Sequence, residues 1–592
     1  MTGSQSGAEP ARADGGRPAR GYWPEIVLVL LFAAVVVLVS SGPGSDTVAP
    51  SNGERRAMQA FADAEALGEP GLYAFLRDMP KGGDLHMHLS GAVYAETFLR
   101  DAAEDGLCVD PKALRLVKSA AVGKAAAGGS GSEKAGSGKA GLSKAGPGEA
   151  SVPNPQCPKD DVAAASVFAN QRLEEELIDA FSMRSYFPTP GLSGHDQFFA
   201  TFDRFGGINK SHNGEWLDEV ATRAATQNEQ YLEVMMTPSF FELAPLWTKL
   251  GWPATPAGAQ TDPLGDATGT SRAELSALRG KLLEGGLRTE VAVDAQELDG
   301  ALAARQQIEH CGEKNAAAAC AVEIRVLYQV LRAFPPQQVF AQTLLAFEVA
   351  SADPNVVGLN FVQPEDAYMA MSEYNRQMHM LDYLHSVYPK VHISLHAGEL
   401  ALGLVPPEGL RFHIREAIDV GHAERIGHGV DVMEEKDGLY LARMMAKRHV
   451  MVEINLTSND VILGVKGEEH PLEGYMAAGT PVALSTDDEG VSRIDLTHEY
   501  VRAAMEHHVG YLDLKAMART SIEHSFLPGE SLWSKRDVFT RVKPACAVPR
   551  LGPNLGVKAP TKACQAFLNS SEKAAEEWEL ERRFAVFEAN AR

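Results

Sequence analysis

Eight short apolar runs punctuate the chain: residues 84–89 (DLHMHL), 231–238 (YLEVMMTP), 322–331 (VEIRVLYQVL), 356–362 (VVGLNFV), 391–399 (VHISLHAGE), 425–430 (RIGHGV), 451–458 (MVEINLTS) and 481–488 (PVALSTDD). Near-continuous hydrophobicity over such lengths marks strands covered on both faces. Helix-length segments separate most of them. This β/α alternation predicts a parallel sheet layered with helices. Eight units predict a closed (β/α)8 TIM barrel, an α/β fold, over an open doubly wound sheet, because no G-x-G-x-x-G turn follows the first run. In a barrel the chemistry gathers at the C-terminal ends of the strands. The polar residues of these runs sit there.

Outside the runs the pattern changes character. Residues 26–39 (IVLVLLFAAVVVLV) are uninterrupted apolar, with Arg12, Arg17 and Arg20 before them and Tyr22 and Trp23 at their edge. With its flanks the stretch 26–42 approaches the length of about 20 residues that a spanning helix needs. No A-x-A cleavage site follows, which favours an uncleaved signal-anchor over a cleaved signal peptide. Arginines on the N-terminal side place residues 1–25 in the cytoplasm and the bulk of the chain outside it. The expected location is the cell membrane with an extracytoplasmic domain, or secretion if the signal is cleaved. Residues 43–53 read as a linker, followed by a helical lead-in to about Asp78 and a single large domain over 54–592. After the first strand comes an insertion over 101–185, whose centre, 119–155, is low-complexity Gly/Ala/Ser/Lys that cannot bury a core.

Composition narrows the partners. Among 592 residues, 78 Asp+Glu oppose 55 Lys+Arg with no long basic stripe, which argues against nucleic acid as a partner. The six cysteines fall into sequence-local pairs, Cys108/Cys157, Cys311/Cys320 and Cys546/Cys564, none with C-x-x-C spacing. An oxidising compartment allows three loop-closing disulfides; six unrelated buried thiols are the alternative.

The strand ends carry the candidate chemistry. On a strand, His86 and His88 point to one face and converge, which suits a metal but also fits two hydrogen-bonded core histidines. SLHAGE adds His396 and Glu399, GHG adds His428, and STDD adds Asp487 and Asp488. Imidazole and carboxylate together suit Zn²⁺, and a catalytic site keeps one position for water. His86, His88, His396 and Asp487 supply three nitrogens and one oxygen. A zinc-bound water is acidified toward neutral pH. Glu399, three residues past His396, would stand beside the metal as an acid, and His428 would orient or deprotonate the water.

In that order, DLHMHLSGA, SLHAGE, RIGHG and STDD resemble the adenosine deaminase family of the metal-dependent amidohydrolase superfamily. The likeness runs from about Met79 to His498 outside the insertion, and includes HDQFFATFDRF (195–205) and EGYMAAGTPVALSTDD (473–488). It implies one zinc ion on His86, His88, His396 and Asp487. It also implies protonation of purine N1 by Glu399, attack at C6 aided by His428, and a contact from Asp488 to N7. The implied reaction converts adenosine or 2′-deoxyadenosine to inosine or its deoxy form plus ammonia. Three positions depart from the family pattern: Ser90 stands where an Asp meets the ribose, Gln363 where a glycine donates its N–H to the ring, and Glu489 where a proline follows the Asp pair. The insertion, lead-in and export signal resemble the secreted growth-factor-type branch, which implies a homodimer. Adenine, AMP or a modified nucleoside is the alternative substrate, with Arg184, Lys210 and Arg493 as phosphate candidates. A non-enzymatic binding or signalling protein is the reading from another class.

Overall fold

In a computed structural model of the chain, residues 49–119, 157–240, 243–253, 270–547 and 559–591 are described. The signal-anchor segment 26–42, the tail 1–25 and nearly all of the low-complexity stretch 119–155 lie outside them. Among the described residues no helix is long and apolar enough to cross a membrane. Residues Pro50–Arg592 form one compact unit.

The barrel is built from β1 (Gly82–His88), β5 (Glu229–Met236), β6 (Glu323–Leu331), β7 (Val356–Val362), β8 (His392–Ala397), β9 (Arg425–His428), β10 (Met451–Ile454) and β11 (Val482–Leu484), parallel and in that order. All eight apolar runs are strands. The helices Pro336–Ala352, Tyr374–Val387, His413–Asp419, Gly438–Arg448 and Leu472–Ala478 fill the successive gaps from β6 to β11. The barrel closes just beyond β11, where Asp487 N–H donates to His86 C=O at 2.8 Å and His88 N–H to Asp487 C=O at 3.0 Å. Buried Asp84 reinforces the seam: Oδ2 accepts from both the backbone N–H (2.9 Å) and the hydroxyl (2.7 Å) of Thr486.

The lead-in is two helices, Asn52–Glu65 and Glu69–Asp78, because Gly68 at φ 76° and Pro70 interrupt it. A Ser51/Glu54 capping box starts the first, satisfying two of the N–H groups that a helix start leaves open. Buried Lys515 pairs at once with Glu54 of this helix and Glu588 of the C-terminal helix Glu572–Asn590, holding both ends of the unit on the barrel's outer surface.

The insertion after β1 folds its described part into an antiparallel sheet of β2 (Cys108–Asp110), β3 (Arg115–Val117) and β4 (Val162–Ala163). It packs into a second apolar cluster shared with its flanking helices, in which Phe98 stacks on Phe205 with ring centroids 4.4 Å apart. All three expected disulfides are present: Cys108–Cys157, Cys311–Cys320 and Cys546–Cys564. The last closes an 18-residue span and sits in a small cluster with Leu532 and Leu568. Loop-closure entropy for such a span is worth about 3 kcal/mol. Replacing both Cys546 and Cys564 by Ser is expected to destabilise the protein by that order, read as a lower denaturant midpoint.

Candidate functional site

Period-two alternation on β1 turns Asp84, His86 and His88 toward the barrel axis, and β8 does the same for His396. Ligand atoms of His86, His88, His396 and Asp487 all lie within 4.8 Å of one another. His396 Nε2 is 3.1 Å from His86 Nε2 and 3.2 Å from His88 Nε2. Asp487 Oδ1 is 3.5 Å and 3.2 Å from those two imidazoles. The sequence-derived set is thus one constellation.

What faces the other side of each ring decides its chemistry. His86 Nδ1 meets a carboxylate oxygen of Glu453 at 2.6 Å. His396 Nδ1 meets Asn360 Oδ1 at 2.8 Å, an oxygen that also accepts the His396 backbone N–H. His88 Nδ1 meets Gln329 Oε1 at 3.2 Å. Each partner is an acceptor, so each Nδ1 carries the hydrogen and each Nε2 presents a lone pair. Three lone pairs and a carboxylate converging in a buried space repel one another unless a positive charge lies between them. Tetrahedral zinc ligands at 2.0–2.2 Å from the ion stand about 3.3–3.6 Å apart, close to the spacing here. Burial disfavours charge on His86, yet hydrogen bonds to Asp487 and Glu453 outweigh it and push that imidazole up to about 10. The cluster could hold a cation, and its donor set fits zinc.

Glu453 is the most consequential residue that the sequence reading passed over. It is fully buried, and its second oxygen accepts from Ser394 Oγ at 2.9 Å and Arg425 Nε at 2.6 Å. Burial alone would raise its carboxyl, but Arg425 and His86 hold it down at about 2. It therefore stays an anion and locks the His86 tautomer. Gly427 makes room for that ring, since a Cβ there would stand 2.5 Å from His86 Cε1. Outer partners of this kind are worth 10–100-fold in metal affinity. Glu453→Gln is expected to weaken zinc binding by roughly that factor, measured by competition with a chromogenic chelator. Buried Glu453 and Asn360, mid-strand in MVEI and VVGLNFV, break apolar runs. That break was the available signal.

Glu399 sits beside the cluster, buried, its backbone N–H donating to Glu365 Oε2 at 2.8 Å. Burial first, then the negative charges of Asp487 and Glu365, drive its carboxyl well above the usual range. It is poised as a proton donor. His428 is buried and held neutral by burial, down at about 3, with its Nε2 unpartnered and 3.9 Å from Asp487 Oδ2. Asp488 is buried, its Oδ1 unpartnered, and it packs where a Cβ on Gly91 would lie 1.4 Å from that oxygen.

All of this opens into a cavity of about 700 Å³ lined by His88, Ser90, Gln363, His396, Glu399, Asp487 and Asp488. Its outer wall is aromatic, with Phe198, Phe199 and Phe202 from the helix Gly194–Arg204. Gln363 holds φ at 90°, a conformation usual for glycine and costly for other residues. Its side-chain oxygen accepts the Ala333 N–H at 2.8 Å, so the glycine-like backbone survives the change of residue. Glu489 is structural, paired with Arg223. Of the phosphate candidates only Lys210 lines the cavity, and its ammonium is spent on Glu297 at 3.0 Å and Thr237 C=O at 2.9 Å. Arg184 pairs with Asp179 and Arg493 with Glu96.

Residues 302–543 match the adenosine deaminase family model. Over 147 residues, 25% of this chain, it is 33% identical to an adenosine deaminase of Escherichia coli (strain SE11), of whose length the match spans 41%. Among solved structures, an adenine deaminase from Arthrobacter aurescens is similar at a TM-score of 0.43 and 15% identity, covering 76% of this chain and 94% of that one. An N6-methyl-AMP deaminase from Arabidopsis thaliana is similar at 0.41 and 18%, covering 77% and 94%.

Proposed function

We propose that this chain, whose residues 302–543 belong to the adenosine deaminase family, hydrolyses the 6-amino group of a purine nucleoside, converting adenosine to inosine and ammonia. The observation that carries this is the convergence of three imidazoles and Asp487 beside a buried Glu399, whose carboxyl burial and the charges of Asp487 and Glu365 push well above the usual range. A zinc ion held by His86, His88, His396 and Asp487 would supply Lewis acidity that lowers the pKa of water.

The chain's own residues do the rest. The aromatic wall receives the flat purine and keeps bulk water out. Asp488, its carboxyl pushed up by burial and by the charge of Asp487, would donate an O–H to ring N7, which is an acceptor. Glu399 gives its proton to ring N1, which draws electron density from C6 and opens that carbon to water. One water is consumed, the C6–N bond breaks, and the nitrogen leaves as ammonia while oxygen remains on C6. Glu399 regains its proton over the cycle, as a general acid must.

One observation favours a nucleoside over a nucleotide, and a second favours a sugar-bearing purine over the free base. Lys210, the one phosphate candidate at the cavity, is already paired with Glu297, and a phosphate would seek an unpaired arginine or lysine. Ser90 keeps a hydroxyl at the mouth, able to meet a sugar hydroxyl. Three disulfides support an exported enzyme.

The test is a panel of adenosine, 2′-deoxyadenosine, adenine and AMP with zinc-loaded protein, followed by ultraviolet absorbance. Turnover of the two nucleosides with AMP inert is expected. No turnover of any member would overturn the reading, and AMP as the preferred substrate would replace it with a nucleotide deaminase.

A further inference from the structure

Behind His428 runs a hydrogen-bonded chain that neither the ligand set nor Glu399 uses. It begins at a donor of known identity: the Leu472 backbone N–H donates to His470 Nδ1 at 3.2 Å. A nitrogen that accepts carries no hydrogen, so the ring of His470 bears its proton on Nε2. That Nε2–H meets Asn459 Oδ1 at 3.0 Å. The amide orientation follows, and Asn459 Nδ2 donates to His428 Nδ1 at 2.9 Å. Asn455 Nδ2 approaches the same nitrogen at 3.4 Å. The nearest carboxylate oxygen on that side, Oε1 of Glu399, is 3.6 Å away, outside hydrogen-bond reach. His428, Asn459 and His470 are all buried, so solvent does not compete for these bonds.

We propose that Asn459 and His470 are positioning residues that hold His428 in the Nε2–H tautomer, so that His428 presents an N–H to the reacting oxygen. His428 then orients that oxygen by donating to it and does not take a proton from it at Nε2. The backbone N–H of Leu472, on a helix that packs outside the barrel, sets the direction of every bond in the chain. Reversing one link reverses the ring. The inference rests on the deaminase reading above for the role of His428, but the tautomer is a property of the protein alone.

Asn459→Asp is nearly isosteric and replaces the donor at His428 Nδ1 with an acceptor. Selective ¹⁵N-histidine labelling of the zinc-loaded protein, with His428→Gln to assign the resonance, reads the tautomer directly. The expected wild-type signal is Nε2–H, turning to Nδ1–H in Asn459→Asp. A wrong histidine tautomer in an otherwise intact site costs up to about 10⁴-fold in kcat, so a loss of roughly 10²–10⁴-fold is expected with KM and zinc content unchanged. His470→Gln retains a donor toward Asn459 and is expected to keep far more activity than His470→Ala. A wild-type Nδ1–H signal would overturn the proposal, as would Asn459→Asp with full kcat. If the tautomer switches as described in a protein that turns over no purine, the relay stands and the deaminase reading falls.

Discussion

Glu399→Gln will fold and hold its metal, yet deaminate roughly 10²–10⁴-fold more slowly, the range that general acid catalysis contributes. The substitution keeps the shape and the capacity to donate a hydrogen bond. It removes only the transferable proton. Glu399 is not an outer partner of the three imidazoles, which are backed by Glu453, Asn360 and Gln329; it stands near Asp487 and His428 on the other side of the cluster. Zinc stoichiometry near the wild-type value with kcat collapsed is therefore the expected pair of results. Full activity would strip Glu399 of its role, and loss of zinc would show that the carboxylate supports the site in a way that its neighbours do not indicate.

Asp487→Ala is expected to do the reverse and lose the metal first. Asp487 brings the one anionic ligand, and its carboxyl is held well below the ordinary range: burial opposes ionisation, but hydrogen bonds to His86 and His88 prevail. Its Oδ2 is further fixed by Ser458 Oγ at 2.7 Å. Without it, only the three imidazoles remain, and a cation in a buried site loses its one charged candidate ligand. Removing an outer partner costs about 10–100-fold in metal affinity, and removing this direct ligand should exceed that range. Chelator competition and residual turnover at saturating zinc measure the two losses separately. Zinc affinity within threefold of wild type would mean that Asp487 is not a ligand.

Much of this architecture is legible in the amino-acid sequence. The eight strands came from hydrophobic periodicity, because parallel barrel strands are buried on both faces and admit few polar residues. The candidate ligands are legible for the same reason in reverse: a histidine or aspartate that ends such a run interrupts its apolar pattern, and the structure brings the four together. The partners behind them were not. Glu453 is the third of only four residues in β10, where so short a run gives no phase, and Asn459, on a helix, meets His470, in a loop, only through tertiary packing. The Gln363 substitution illustrates the opposite limit. As a letter it contradicts the glycine pattern, while its backbone at φ 90° is one that glycine adopts readily.

The barrel's closure has a consequence for how the protein is made. His86 and Asp487 face each other across the last seam, joined by backbone bonds between the first strand and the residues just past the final one. During synthesis the three imidazoles are complete once residue 396 has emerged, but the carboxylate arrives only with residue 487. The four-residue set is thus complete only once the last seam has formed, and that seam joins the earliest strand to the residues just past the latest.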